Sequence, residues 1–219
     1  MKLYFAQMGQ YLPVIFNGIS VTLKFTLFST LAGFLWGTVL ALIKVSRVKP
    51  LEWFARIYTS IFRGTPLLVQ LFLVYFATPQ LTGYSITSLQ ASILTFGLNS
   101  AAYISEALRG GIVSVDRGQY EAAMALGVPY RQMMFDIIFP QALKHVLPAL
   151  VNESIALLKE SSLVAMIGVT DILRGAQMIQ NITYRAFEPL IIAAAIYYVL
   201  VMILTMLANR LERWVRRSD

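Results

Sequence analysis

Four residues of one segment carry the groups best placed to handle a charged solute. Asn152 and Lys159 are seven positions apart, and so are Glu153 and Glu160. Seven residues is nearly two helical turns, so each pair stacks on one face, the two lines about 100° apart. All four fall in Pro148–Val169, a run otherwise apolar enough to sit in a membrane. An ionisable group near the bilayer centre costs at least ~2.5 kcal/mol. This stripe is therefore expected to face the bundle interior or a water-filled cavity. At 1.5 Å per residue from Leu147, Glu153 is about 9 Å deep and Glu160 about 20 Å. Asn99, counted from Leu89 in another apolar run, is about 15 Å deep, so all lie near the middle third of a ~30 Å core. Two acids against one base leave excess negative charge, and a buried carboxylate without a partner is costly. A cationic solute cancels it, and so does protonation of one carboxyl. An internal ion pair of Lys159 with Glu160 or Glu153 is the structural alternative. Glu153 is then the candidate for recognising a positive group, with Asn99, Asn152, Lys159 and Glu160 around it.

Other chemistry is thinly supplied. The chain has no cysteine and a single histidine, His145, which excludes disulfides, thiolate metal sites and multi-histidine metal sites. No G-x-x-x-x-G-K-[ST] loop is present, so any ATP must be held by another chain. Hydrophobic residues make up 58% of the 219 and charged residues 13%. That balance excludes disorder and argues against a soluble enzyme, whose charged share is about 25%. The net charge is +7, but no basic run interleaved with aromatics tracks a nucleic acid. The excess cation reads as orientation relative to membrane lipid.

The elements that carry these residues are membrane spans of about 20 residues each. Five are expected, at about 19–44, 57–77, 89–108, 148–169 and 189–208, in one all-α polytopic domain covering 1–219. Pro79, Gly83 and nearby polar residues mark the break between the second and third. The N-terminal stretch lacks a cleaved-signal pattern and is expected to stay, with Met8–Ile15 along the membrane surface. Thirteen Lys/Arg fall in 44–63, 109–144 and 210–219, against Lys2, Arg174 and Arg185 on the other side; Lys24 and Lys159 lie within spans. The bias places the N-terminus outside and the C-terminus inside. Lys24 is expected to snorkel to the outer interface. His145 is expected at the inner surface, and Arg210–Arg217 as a cytoplasmic stop signal. Gln70 and Ser100 either line a path or bond across helices. Gly33 and Gly37 form a small-xxx-small pair that lets helices approach closely.

The loop at about 112–146 is too ordered in pattern to be a linker. Asp116 suits an N-cap, with Gln119 three residues on as in a capping box. The helix through EAAMAL stops at Gly127, a residue suited to a left-handed cap. Pro129 opens a second helix with Tyr130, Met133, Met134, Ile137 and Ile138 on one stripe, and Pro140 and Pro148 interrupt the chain beyond it. The pair reads either as an amphipathic hairpin on the bilayer or as a docking knob. In the second reading small Ala122, Ala123 and Ala125 admit a partner closely, and the methionines supply adaptable contact surface.

Glu121, Ala122, Ala123 and Gly127, followed by Ile138 and Pro140, resemble the cytoplasmic signature loop of ABC importer permeases, with Phe139 where that family usually has leucine. RGTPLLVQLFLVYFATP (63–79), LNSAAYISEALRGGIVSVDRGQYEAA (98–123) and LLKESSLVAMIGVTDI (157–172) resemble the polar amino-acid branch, and the likeness runs from about Asn17 to Arg213. The resemblance implies a type I importer fold in the bacterial cytoplasmic membrane and a second permease subunit, identical or homologous. It also implies a pair of ATPase subunits carrying ATP and magnesium, coupled through Asp116, Glu121, Ala122, Ala123 and Gly127, and an extracytoplasmic amino-acid-binding protein. On this reading the chain is not itself an enzyme, has no catalytic residue and binds no metal or cofactor. Glu153 then points to arginine, lysine or histidine as the solute, with Asn99 and Lys159 toward its α-carboxylate or amino group. The alternatives are an importer of a neutral polar amino acid, a secondary transporter or channel using Glu153, Lys159 and Glu160 as an ion relay, and a structural subunit without a path.

Overall fold

The structure is a computed structural model that describes residues 8–46 and 48–216, without the side chains of His145 and 214–216. The placements expected for Lys2, Arg47, His145, Arg216 and Arg217 lie outside it. Every regular element among the described residues is helical. A 3-10 turn, Gly9–Tyr11, leads into α1 (Leu12–Val45). It is followed by α2 (Lys49–Gly64), α3 (Leu67–Thr82), α4 (Ser88–Ser114) and the short α5 (Arg117–Ala125). A helical turn, Tyr130–Gln132, and a π-helical stretch, Met133–Ile138, run into α6 (Phe139–Glu160). A 3-10 helix, Ser161–Ile167, then precedes α7 (Ile172–Thr183) and α8 (Phe187–Arg216).

α1 begins earlier than the expected span. The stretch expected along the membrane surface packs on protein: Met8 and Ile15 are buried against Ile172, Ala176, Ile179 and Ala193 of α7 and α8. Further along, α1 packs closely on α4. A Cβ on Gly33 would stand 2.8 Å from Ser100 Cβ, and one on Gly37 would stand 2.9 Å from Ile104 Cγ2. The small-xxx-small pair is thus used in full. Gly33→Leu is expected to overpack this seam and cost about 1–3 kcal/mol, read as earlier loss of monodisperse complex on heating; unchanged heat resistance would contradict the close approach.

α4 holds the centre. Ser92, Thr95, Asn99, Ser100 and Ser105 are all buried in it. By length and apolarity Gly9–Val45 and Phe187–Arg213 each suffice to cross a membrane, while Lys49–Gly64 with Leu67–Thr82 and Tyr130–Lys144 with Val146–Ile167 suffice as bent pairs. α4 is more polar than these because neighbouring helices, rather than lipid, cover it.

The stretch 57–77, expected as one span, is two helices meeting at 105°. Pro66 is the cause: the residue before a proline is pushed out of the helical region, and Thr65 is extended (φ −121°, ψ 146°). The break between the second and third expected spans falls where the sequence put it. Gly83 caps α3 in the left-handed conformation (φ 72°). Thr87 and Gln90 then form a reciprocal capping box that starts α4. The helix that carries the fourth expected span begins before 148, at Phe139. Pro148 sits inside α6, and its ring opposes the carbonyl of Lys144, where the helix path bends by 53°.

Candidate functional site

α6 carries the polar stripe, but not toward the interior of this chain. Leu157 and Leu158 take the inner face and are fully buried. Asn152, Lys159 and Glu160 are exposed, and Glu153 is half-buried. Of the two places expected for the stripe, the interior of this chain is not the one it takes: two adjacent leucines fill the core side of the last two turns, so the polar lines take the other arc. The Glu153 carboxyl lies beside the Ser100 hydroxyl and in the field of Glu160. No salt bridge joins Lys159 to Glu153 or Glu160 among the described residues. Neighbours in sequence on a helix do not face each other, which rules the adjacent pair out geometrically. Lys159 ends α6, where the dipole favours a cation, and Glu160 ends it where the dipole disfavours an anion. The face therefore carries acid that its own chain does not neutralise.

Asn99 is not part of this group. Its Nδ2 donates to the Phe62 carbonyl at 3.0 Å and to Gln70 Oε1 at 3.0 Å. Gln70 Nε2 in turn donates to the Phe62 carbonyl (2.9 Å), the Thr65 carbonyl (3.1 Å) and Thr65 Oγ1 (2.7 Å). The last carbonyls of a helix have no partner within it, and at the α2–α3 bend these two amides supply one. Asn99 and Gln70 hold the broken helix to α4. That decides Gln70 as a cross-helix bond, while Ser100 Oγ is buried beside Glu153.

The loop between α4 and α6 is folded as the sequence indicated, with two exceptions. Asp116 caps α5, its Oδ1 accepting from the Gly118 amide at 2.6 Å. Gln119 does not complete a capping box; its Oε1 accepts from Gln141 at 3.3 Å and ties α5 to α6. Gly127 is left-handed (φ 70°). Its amide reaches the Met124 carbonyl at 3.0 Å and that of Val128 reaches Ala123 at 3.0 Å, the paired bonds of a Schellman motif. The second exception is Ala123. It is buried with Ile112, Val115, Met133, Ile138 and Ala142, while Glu121, Ala122, Met124 and Leu126 are exposed. On a helix so short one alanine of the three must face the support, and it is this one. The stripe on the second helix is likewise graded: Met133 and Ile138 are buried, Tyr130 is exposed.

A helical membrane chain with an exposed acidic face and a braced, partly apolar knob between two long helices matches one family over most of its length. Residues 30–217 fit the model of the binding-protein-dependent transport system inner membrane component. The chain belongs to that family. It is 48% identical over 219 residues to the arginine transport system permease protein ArtQ of Bacillus subtilis, covering all of both chains. It is 45% identical over 210 residues to the putative glutamine transport system permease protein GlnP of Rickettsia bellii, covering 96% of each. A solved structure described as an amino acid ABC transporter with histidines matches with a TM-score of 0.93 at 44% identity, over 97% of this chain and 99% of that one. The all-helical fold is that of a type I ABC importer permease, and such a permease is a membrane subunit rather than an enzyme.

Two buried charge groups of this permease are not legible in local sequence patterns. Lys44, grouped by sequence with the loop charges, is buried and donates to Glu106 Oε1 at 2.8 Å and Ser105 Oγ at 2.8 Å. Glu106 also accepts from Arg109 at 2.9 Å through Oε2. Asp171 caps α7 through the Arg174 amide (2.8 Å) and accepts from the Tyr197 hydroxyl of α8 (2.8 Å). The i, i+3 spacing of Glu106 and Arg109 is the one available signal for the first. For Asp171 the signal is an acid just ahead of an apolar helix; its bond to Tyr197, twenty-six residues away, has none.

Proposed function

We propose that this permease passes a cationic amino acid, arginine, lysine or histidine, across the bacterial cytoplasmic membrane along the exposed face of α6. The observation that carries the reading is the acidic excess there. Glu153 and Glu160 are about 10 Å apart along the helix, and Lys159 is the one base of the stripe. A cationic amino acid has a positive group at each end and a carboxylate beside one of them. Glu153 takes the side-chain cation, Glu160 the α-ammonium, and Lys159 with Asn152 the carboxylate. The ArtQ relative supports this choice; the GlnP relative keeps a neutral polar amino acid as the second reading. Uptake of arginine, lysine and glutamine by the reconstituted complex separates them, and preference for glutamine would overturn the first.

In this reading a second permease subunit closes the face of α6 that its own chain leaves open. An ATPase pair bearing ATP and magnesium docks on Asp116–Gly127, and an extracytoplasmic amino-acid-binding protein delivers the solute. Five crossings result: α1, the α2–α3 pair, α4, α6 and α8, with the N-terminus outside. A cysteine in place of exposed Arg117 is expected to react with an impermeant thiol reagent only from the cytoplasm, and one in place of Tyr184 only from outside. The background is clean because the chain has no cysteine. The opposite labelling would overturn the orientation and with it the docking loop.

A further inference from the structure

A cleft of about 290 Å³ opens between the last turn of α1, the middle of α2 and the C-terminal part of α4, lined by Lys44, Arg56, Glu106 and Arg109. It lies away from the acidic face of α6 and plays no part in the solute path proposed there. Lys44 is at the last turn of α1, so in the topology proposed above, on which this inference rests, the cleft stands where that helix leaves the hydrocarbon. Glu106 bonds both Lys44 and Arg109, and Arg56 Nε is held by Glu52 at 2.9 Å. Three cations and two carboxylates leave one positive charge. The lining guanidiniums of Arg56 and Arg109 remain partly exposed, and neither is used up by one carboxylate, since a guanidinium has five donors. Exposed apolar side chains stand on either side of Arg56 on α2: Trp53 and Ile57, within about 100° of it around the helix. Trp53 is three residues from Arg56, on the same side of α2. Tryptophan is enriched at the membrane–water interface.

We propose that this cleft binds the phosphate of an anionic phospholipid, with its acyl chains along the exposed apolar side chains beside Arg56 on α2. One phosphodiester carries the single negative charge that the cluster lacks. Arg56 and Arg109 present the planar donor forks that suit phosphate oxygens. Lys44, locked by Ser105 and Glu106, fixes the floor. Basic pockets between helices at this level take acidic lipid headgroups for the same electrostatic reason. A free phosphate ion shares the headgroup chemistry but gains nothing from the apolar flanks.

The test is lipid retention by the assembled transporter in detergent, read by native mass spectrometry with added phosphatidylglycerol or phosphatidylcholine. The wild type is expected to keep phosphatidylglycerol in preference. At about 1 kcal/mol per basic residue, Arg56→Gln with Arg109→Gln is expected to weaken retention about thirtyfold. Arg56→Lys with Arg109→Lys keeps the charge and is expected to keep most of it, which separates lost charge from lost fold. Equal retention of the two lipids by the wild type would overturn the site, and that measurement needs no variant. Displacement of the lipid by millimolar inorganic phosphate would overturn the lipid as occupant.

Discussion

Glu153→Gln is expected to lower uptake of arginine or lysine by the reconstituted complex about a hundredfold, with little change for a neutral amino acid delivered by the same binding protein. The substitution keeps shape and removes charge. Breaking one side of a buried charge pair costs about 3–5 kcal/mol, and each 1.4 kcal/mol is about tenfold. The lower end applies because Glu153 is half-buried in the chain. What makes the residue sensitive is the lack of an alternative. Lys159 forms no salt bridge with it among the described residues, and Ser100 offers a hydroxyl without charge. An equal loss for cationic and neutral solutes would make Glu153 a structural residue and leave the substrate class to the binding protein.

Ala122→Trp is expected to leave the protein in the membrane and to reduce coupled ATP turnover and uptake at least tenfold. Ala122 is on the exposed side of α5 beside Glu121, so an indole there meets a docked partner and nothing in its own chain. A clash at the centre of an interface costs more than the 1.4 kcal/mol that a tenfold loss needs. Ala123→Trp is a different experiment. That side chain is 3% exposed, and an indole would displace Ile112, Met133 and Ile138, so the variant is expected to lose folded protein instead. Gly127→Val acts through the backbone: open space surrounds the site, but φ is +70°, which costs a residue with a Cβ about 1–2 kcal/mol. Normal coupling in a well-expressed Ala122→Trp complex would remove the docking role of this helix.

Residues that carry a local rule are legible in the sequence. Asp116, Gly127 and Gly83 each serve the cap or turn that their type favours, because these act over four or five residues of chain. The apolar runs correspond to the long helices α1 and α8, and Gly33 with Gly37 marks a close helix contact, though not its partner. The α2–α3 bend is also within reach of sequence: Pro66 stands in the middle of the run expected as one span, and apolarity outweighs it there.

The direction in which a face points is not legible. Spacing alone places Asn152, Glu153, Lys159 and Glu160 on neighbouring lines of α6, whichever way the helix turns. Leu157 and Leu158 decide the turn, since Leu157 finds an apolar pocket made by other helices and Leu158 is fully buried beside it. The same holds for Asn99, whose depth fits a solute site and whose amide is spent on Phe62 and Gln70, and for Ala123 against Ala122. The sequence by itself determined the family, the helical class and the short capped helix that ends at Gly127. Only the tertiary structure decided which charges are paired, as Lys44 is with Glu106, and which face is open, because pairing and burial depend on contacts between segments tens of residues apart, which no local spacing encodes.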